Sequence, residues 1–143
     1  DQVIDVNIKG VYNCTAAVLP VMRARGDGLI ITTSSMAGKR YSRRAGVAYG
    51  ASKHAVMAVN ELLNLEESNH GIRACAICPA EVNTAILDRR PVPVPAADRA
   101  RLIQPEDIAE TVLFVARLDS RVCINEILVT PTHKRVAQPG EPG

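Results

Sequence analysis

The chain has 143 residues, a net charge of +2 and an apolar fraction of 47%, enough for one ordinary domain with a packed core. So small a charge argues against a protein built to bind nucleic acid or a membrane surface, and no apolar run reaches the ~18 residues of a membrane span. The four cysteines, Cys14, Cys75, Cys78 and Cys123, demand no disulfide framework, and no secretory signal opens the chain, so a reducing cytoplasm is the expected compartment.

The chain opens at Asp1 directly in helical periodicity, as expected of a chain that begins partway through a domain. Val3, Val6, Val11, Val18 and Met22 predict a helix over 3–25, stopped by Gly26 and Gly28. The β-branched run "LIITTSS", 29–35, predicts a buried strand, and "MAGKRYSRRAG" a loop. Ala55, Val56, Val59, Leu62 and Leu63 mark the apolar face of a second helix over about 47–69. "HGIRACAICP" turns at Gly71 and predicts a strand ended by Pro79. Pro91, Pro93 and Pro95 make most of 80–104 irregular, with a short helix near "AADRARL". Pro105, Glu106 and Asp107 are good first-turn residues for a third long helix, and "VCINEILVT", 122–130, reads as a last strand. "PTHKRVAQPGEPG" reads as a frayed tail.

Strands separated by helices imply an α/β protein with a parallel sheet. Residues 1–131 are expected to form part of a single domain, with 132–143 as a flexible tail. Three strands are few for such a sheet. The first would present an unpaired apolar edge, which points to further strands on that side. Cys75 and Cys78 form a C-x-x-C, but on a strand residues three apart point to opposite faces. They read as buried thiols rather than a metal or redox pair, and no metal is expected.

Tyr49 and Lys53 in "VAYGASKHAV" lie on one helical face. A tyrosine with a pKa of about 10 exchanges protons poorly near neutrality, and lowering it by about 2–3 units takes about 3–4 kcal/mol. A cation ~4 Å away supplies roughly 4 kcal/mol at an effective dielectric of about 20, but only about 1 in bulk water. Lys53 can therefore activate Tyr49 if the site is covered. The small residues between them leave room beside the helix for a flat ligand.

"YGASK" at 49–53 resembles the Tyr-x-x-x-Lys motif of the short-chain dehydrogenase/reductase family. "TTSSMAG" at 32–38 is similar to its catalytic serine segment, and "DVNIKG" at 5–10 to the segment carrying its asparagine. Asn7 precedes Ser35 by 28 positions and Ser35 precedes Tyr49 by 14, separations that fit the family. The resemblance implies a Rossmann-type doubly wound parallel sheet, of which this chain carries the C-terminal half. It implies hydride transfer between NAD or NADP and a small alcohol or carbonyl substrate. Tyr49 would exchange a proton with the substrate oxygen, and Lys53 would hold the nicotinamide ribose and lower the tyrosine pKa. Ser35 would polarise the reacting oxygen, and Asn7 would hold a water of a proton relay. Ser34 is the neighbouring candidate, but the motif aligns better from Ser35. "CPAEVNTAI", 78–86, is similar to the loop that brackets the nicotinamide, giving cofactor roles to Pro79, Val82 and Thr84. It departs from the family in Ala80, where glycine is usual.

The family's glycine-rich dinucleotide fingerprint does not occur in these residues, so the chain alone is expected to be inactive. The family's dimers pair the two long helices, and a homodimer or homotetramer is implied. A non-catalytic interaction module that keeps those helices is the alternative. The basic loop with Lys39, Arg40, Arg43 and Arg44 reads either as a solvated loop, the preferred reading, or as a pocket rim that favours an anion. No aromatic platform accompanies those charges beyond Tyr41, which argues against a nucleic-acid site.

Overall fold

The computed structural model describes residues 2–136. Helix α1 fills residues 2–25 as three consecutive segments: Gln2–Ile4, a π-helical stretch Asp5–Gly10, and Val11–Arg25. It ends at Gly26 in the left-handed conformation that helix C-termini favour. There follow β1 (Gly28–Thr33), a 3-10 turn (Met36–Gly38), α2 (Val47–Glu67), β2 (Ile72–Pro79), α3 (Ala96–Arg99), α4 (Pro105–Arg117) and β3 (Glu126–Val129). The three strands are parallel in the order β1-β2-β3, so the expected Rossmann-type α/β architecture is present. Among the described residues β1 pairs only with β2, which leaves its other side an open edge lined by half-buried Leu29, Ile30 and Ile31.

The period of two along the strands divides the core into two layers. Leu29, Ile31, Cys75, Ile77, Ile127 and Val129 pack against Ile108, Val112 and Val115 of α4. Ile30, Ala74 and Cys78 belong to the opposite face, where Cys78 Sγ lies 3.4 Å from Met57 Sδ of α2. The two thiols of the C-x-x-C therefore point into different layers. Burial pushes Cys75 up to about 11, as expected of a thiol in apolar surroundings.

Helices α1 and α2 are fastened at both ends. Asn7 Nδ2 donates to Ser52 Oγ at 3.0 Å, and Ser52 Oγ donates to the Tyr49 carbonyl at 2.7 Å. At the other end Arg23 grips the buried Glu67 through two hydrogen bonds, which hold that carboxyl below its ordinary range. The turns after these helices touch closely. A Cβ on Gly71, which has φ +71°, would sit 2.3 Å from the Gly26 carbonyl oxygen.

The last strand is shorter than its β-branched sequence predicts. The Asn64 side chain accepts from the Ala74 amide at 2.6 Å and donates to the Ala74 carbonyl at 2.8 Å, so it occupies the place a strand backbone would take. Pairing with β3 begins only at Ala76↔Glu126. Residues 80–104 are mostly irregular, as expected, with the short helix at Ala96–Arg99, and they are ordered by packing rather than by periodicity. They fold around a small core of Leu87, Val94 and Leu102, tied by hydrogen bonds among Asn83, Arg99 and Gln104. Of the expected tail, 137–143 lie outside the described residues. Residues 132–136 hold no helix or strand, yet the Arg135 side chain is 4% exposed against Glu81.

Candidate active site

The C-terminal ends of β1 and β2, the first turns of α2 and the segment after β2 enclose a cleft of about 810 Å³. This is where doubly wound sheets place their ligands. Ser35, Tyr49, Lys53, Pro79, Val82 and Thr84 all line it. Asn7 does not. It stands behind the site, where its bond to Ser52 steadies the turn of α2 that carries Tyr49 and Lys53.

Both serines lie just beyond β1 and border the cleft, but their hydroxyls are engaged differently. Ser34 is 3% exposed and its Oγ donates to the Lys53 carbonyl at 3.1 Å. Ser35 is extended, and its Oγ accepts from the Ala37 amide at 3.1 Å. That bond leaves the Ser35 hydroxyl proton available to a ligand. Lys53 Nζ donates to the Thr33 carbonyl at 2.9 Å and stands 5.6 Å from the Tyr49 ring centroid. Desolvation by burial lowers the Lys53 pKa below the ordinary lysine value. Tyr49 itself is 37% exposed, so the site is open on the side where a ligand would cover it.

The small residues between Tyr49 and Lys53 serve more than one end. Ser52 is small because it is fully buried beneath Asn7. Gly50 faces open space, which agrees with room for a ligand beside the helix. Ala80, where the family has glycine, raises no backbone strain. Among the described residues only glycines have positive φ, and the Ala80 amide donates to the Val129 carbonyl at 2.8 Å.

Glu81 was not marked by the sequence. It projects into the cleft with a side chain 16% exposed and engages Arg90 and Arg135, with Arg44 Nη1 3.9 Å away. Burial pushes its carboxyl up, but hydrogen bonds from Arg135 and Arg90 outweigh that and hold it below the ordinary range. The partners lie 9, 37 and 54 residues away in sequence, so the only local signal was an acid inside an apolar loop. A carboxylate with a depressed folded pKa adds stability above its unfolded value of about 4.3, and that stability is lost as pH falls through the folded value. Glu81→Gln is therefore expected to cost about 2 kcal/mol at pH 7, from the charge-assisted hydrogen bonds it removes with Arg90 and Arg135. The difference from the native chain should shrink below about pH 4. Urea unfolding across that range checks both statements.

The basic loop divides. Lys39 leaves the site and pairs with Glu126 at 2.8 Å. Arg40 and Arg44 line the cleft. Tyr41 stacks on His54, with ring centroids 5.1 Å apart. Among the described residues no group of three or more His, Cys, Asp or Glu is placed to hold a metal ion, and no helix is long and apolar enough to cross a membrane.

A parallel sheet with helices packed on both faces defines a doubly wound α/β protein, and Ser35, Tyr49 and Lys53 gather in the cleft at the C-terminal ends of its strands. Residues 1–92 match the family model described as short chain dehydrogenase, and the chain belongs to that family. It is 40% identical over 140 residues to an uncharacterized oxidoreductase of Listeria monocytogenes, covering 92% of this chain and 56% of the relative. It is 35% identical over 136 residues to the glycine betaine reductase ATRR of Emericella nidulans, covering 92% of this chain and 11% of that one. Among solved structures, the closed form of serine dehydrogenase complexed with NADP+ superposes with a TM-score of 0.79 at 27% identity, over 96% of this chain and 57% of that one. A 3-oxoacyl-[acyl-carrier protein] reductase from Brucella melitensis with bound NAD gives 0.72 at 27% identity, over 90% and 48%. The chain thus spans about half the length of the bacterial relative and of these two structures.

Proposed function

We propose that this chain carries the catalytic portion of an NAD- or NADP-dependent oxidoreductase acting on a small alcohol or carbonyl compound. The observation that carries the reading is the convergence of Ser35, Tyr49 and Lys53 on one cleft that also presents Pro79, Val82 and Thr84. The residues fit a nicotinamide ribose. Lys53 uses one of its three donors on Thr33 and keeps two for hydroxyl groups. Val82, Ile86 and Leu87 give the cleft an apolar wall. A bound nicotinamide would supply or accept the hydride. Tyr49 would move a proton at its phenolic oxygen to or from the substrate oxygen. Ser35 would donate a hydrogen bond to that oxygen as charge develops on it. Lys53 would stabilise the phenolate, an effect that grows once a ligand shields Tyr49 from water.

We expect the chain alone to lack turnover, because these residues contain no glycine-rich turn for the cofactor's pyrophosphate. The test is deuterium transfer from C4-deuterated NADH or NADPH to a panel of ketones and aldehydes, read by mass spectrometry. It is run on this chain and on a polypeptide that supplies the other half of the fold. Label in the alcohol product from the completed protein supports the reading. Products that carry no label under those conditions overturn it, and turnover by the chain alone overturns the expectation of inactivity.

A second reading is an assembly module. Val6, Tyr12, Val21 and Leu65, on the two long helices, are each more than 60% exposed, which favours helix pairing between copies in a homodimer or homotetramer. Sedimentation of the chain separates the readings: self-association without dinucleotide binding favours the module.

A further inference from the structure

Among the described residues, the charged side chains that line the cleft are strongly one-sided: Arg40, Arg44, Lys53, Arg89 and Arg90 against the carboxylate of Glu81. The whole chain carries only +2, so positive charge is concentrated where a substrate would sit. A concave wall of one sign focuses the field and raises the local concentration of opposite charge. These cations have different duties. Arg90 is paired with Glu81, and Lys53 belongs to the acid/base pair, with one donor on the Thr33 carbonyl. Arg40 and Arg89 are exposed and form no ion pair with any described residue. The carboxylate next to Arg89 in sequence, Asp88, is taken by Arg99. Arg40 comes from the segment between Ser35 and Tyr49, and Arg89 from the 3-10 turn Ala85–Arg89 that follows Thr84. Two loops that border the cleft thus each contribute a guanidinium, a group whose planar fork suits oxyanions.

We propose that Arg40 and Arg89 form the recognition site for an oxyanion on the substrate, so that the protein selects carbonyl or alcohol compounds bearing a carboxylate or phosphate over neutral ones. The proposal rests on the oxidoreductase reading for the identity of the reacting group, but its test needs no hydride transfer. Calorimetric titration of the chain at low ionic strength compares 3-oxobutanoate with its methyl ester, which differ in the anion alone. The carboxylate should bind at least about tenfold more tightly, and the preference should weaken as salt is added. The double variant Arg40→Gln, Arg89→Gln should bring the carboxylate's affinity down to that of the ester. The single variants should each give part of the loss. Equal affinities in the native chain, or a preference that survives the double variant, overturn the proposal. Nicotinamide mononucleotide, titrated in parallel against nicotinamide riboside, separates the two sources of oxyanion. If the double variant weakens the mononucleotide and leaves 3-oxobutanoate unchanged, the arginines serve the cofactor phosphate and the proposal falls. Absence of label transfer in the turnover assay would instead remove the oxidoreductase reading and leave the binding result standing.

Discussion

Tyr49→Phe is expected to lower turnover of the completed protein by about 10²–10⁴, the range that a positioned general acid or base contributes. The fold should not notice the change. Tyr49 is 37% exposed, and its hydroxyl has no hydrogen-bond partner among the described residues, so phenylalanine leaves no orphaned donor or acceptor. The ring remains, and with it the surface that Lys53 Nζ approaches at 5.6 Å. Cofactor affinity and melting temperature should therefore stay close to the native values while the chemical step collapses. Single-turnover kinetics, cofactor titration and thermal unfolding read the three quantities separately. Retained turnover would show that the proton is handled elsewhere. The alkaline limb carries a second signature. Because burial lowers the Lys53 pKa, its charge is lost below the ordinary lysine value of about 10.4. Activation of Tyr49 should fade with rising pH over that lower range. The same shift works in the opposite sense on stability. The desolvated ammonium is a penalty below its folded pKa, and that penalty is relieved as pH rises toward the unfolded value.

The sequence revealed those parts of the site that depend on local periodicity. Tyr49 and Lys53 share a helical face because they are four apart, and Cys75 and Cys78 enter different layers because a strand alternates. Both facts hold wherever the helix and strand are placed. The parallel sheet was equally readable from Val, Ile and Leu runs alternating with helical faces. What the sequence hid were side chains that act across long separations. Asn64 replaces a strand partner for Ala74, so β3 starts at Glu126 although Val122 and Ile124 have the composition of a strand. Glu81 draws arginines from three separate segments. The proline-rich stretch 80–104 lacks a period, yet Leu87, Val94 and Leu102 meet in a core of their own. The π-helical stretch around Asn7 left no compositional mark either. The resemblance points to Asn7 by its motif, but its side-chain bond to Ser52, 45 residues away, has no local signal.

Gly38→Ala should damage both stability and catalysis, although Gly38 touches no ligand position. A Cβ there would lie 2.6 Å from Ser34 Oγ and 2.7 Å from the Lys53 carbonyl oxygen. Gly38 does not have positive φ, so the obstacle is space, not backbone strain. The serine could rotate, but it is buried and already donates to the same carbonyl at 3.1 Å. The carbonyl belongs to the backbone of α2 and cannot yield without moving the turn that holds Tyr49 and Lys53. Overpacking against backbone belongs at the upper end of its usual range, about 3 kcal/mol. Relief requires the turn Met36–Gly38 to lift from α2 and carry Ser35, which caps that turn, with it. A displacement of about 1 Å between a polarising serine and its acid/base partner can cost about 10²-fold in rate. Gly50→Ala is the control on the same helix. Nothing lies within 4 Å of a Cβ there, and a helical alanine should leave stability unchanged or raise it by about 0.5–1 kcal/mol. Urea unfolding of both variants, with single-turnover rates of the Gly38→Ala and native completed proteins, decides the matter. If Gly38→Ala is as stable as Gly50→Ala and turns over like the native protein, the close contact between the serine turn and α2 does not hold Ser35 in register with Tyr49.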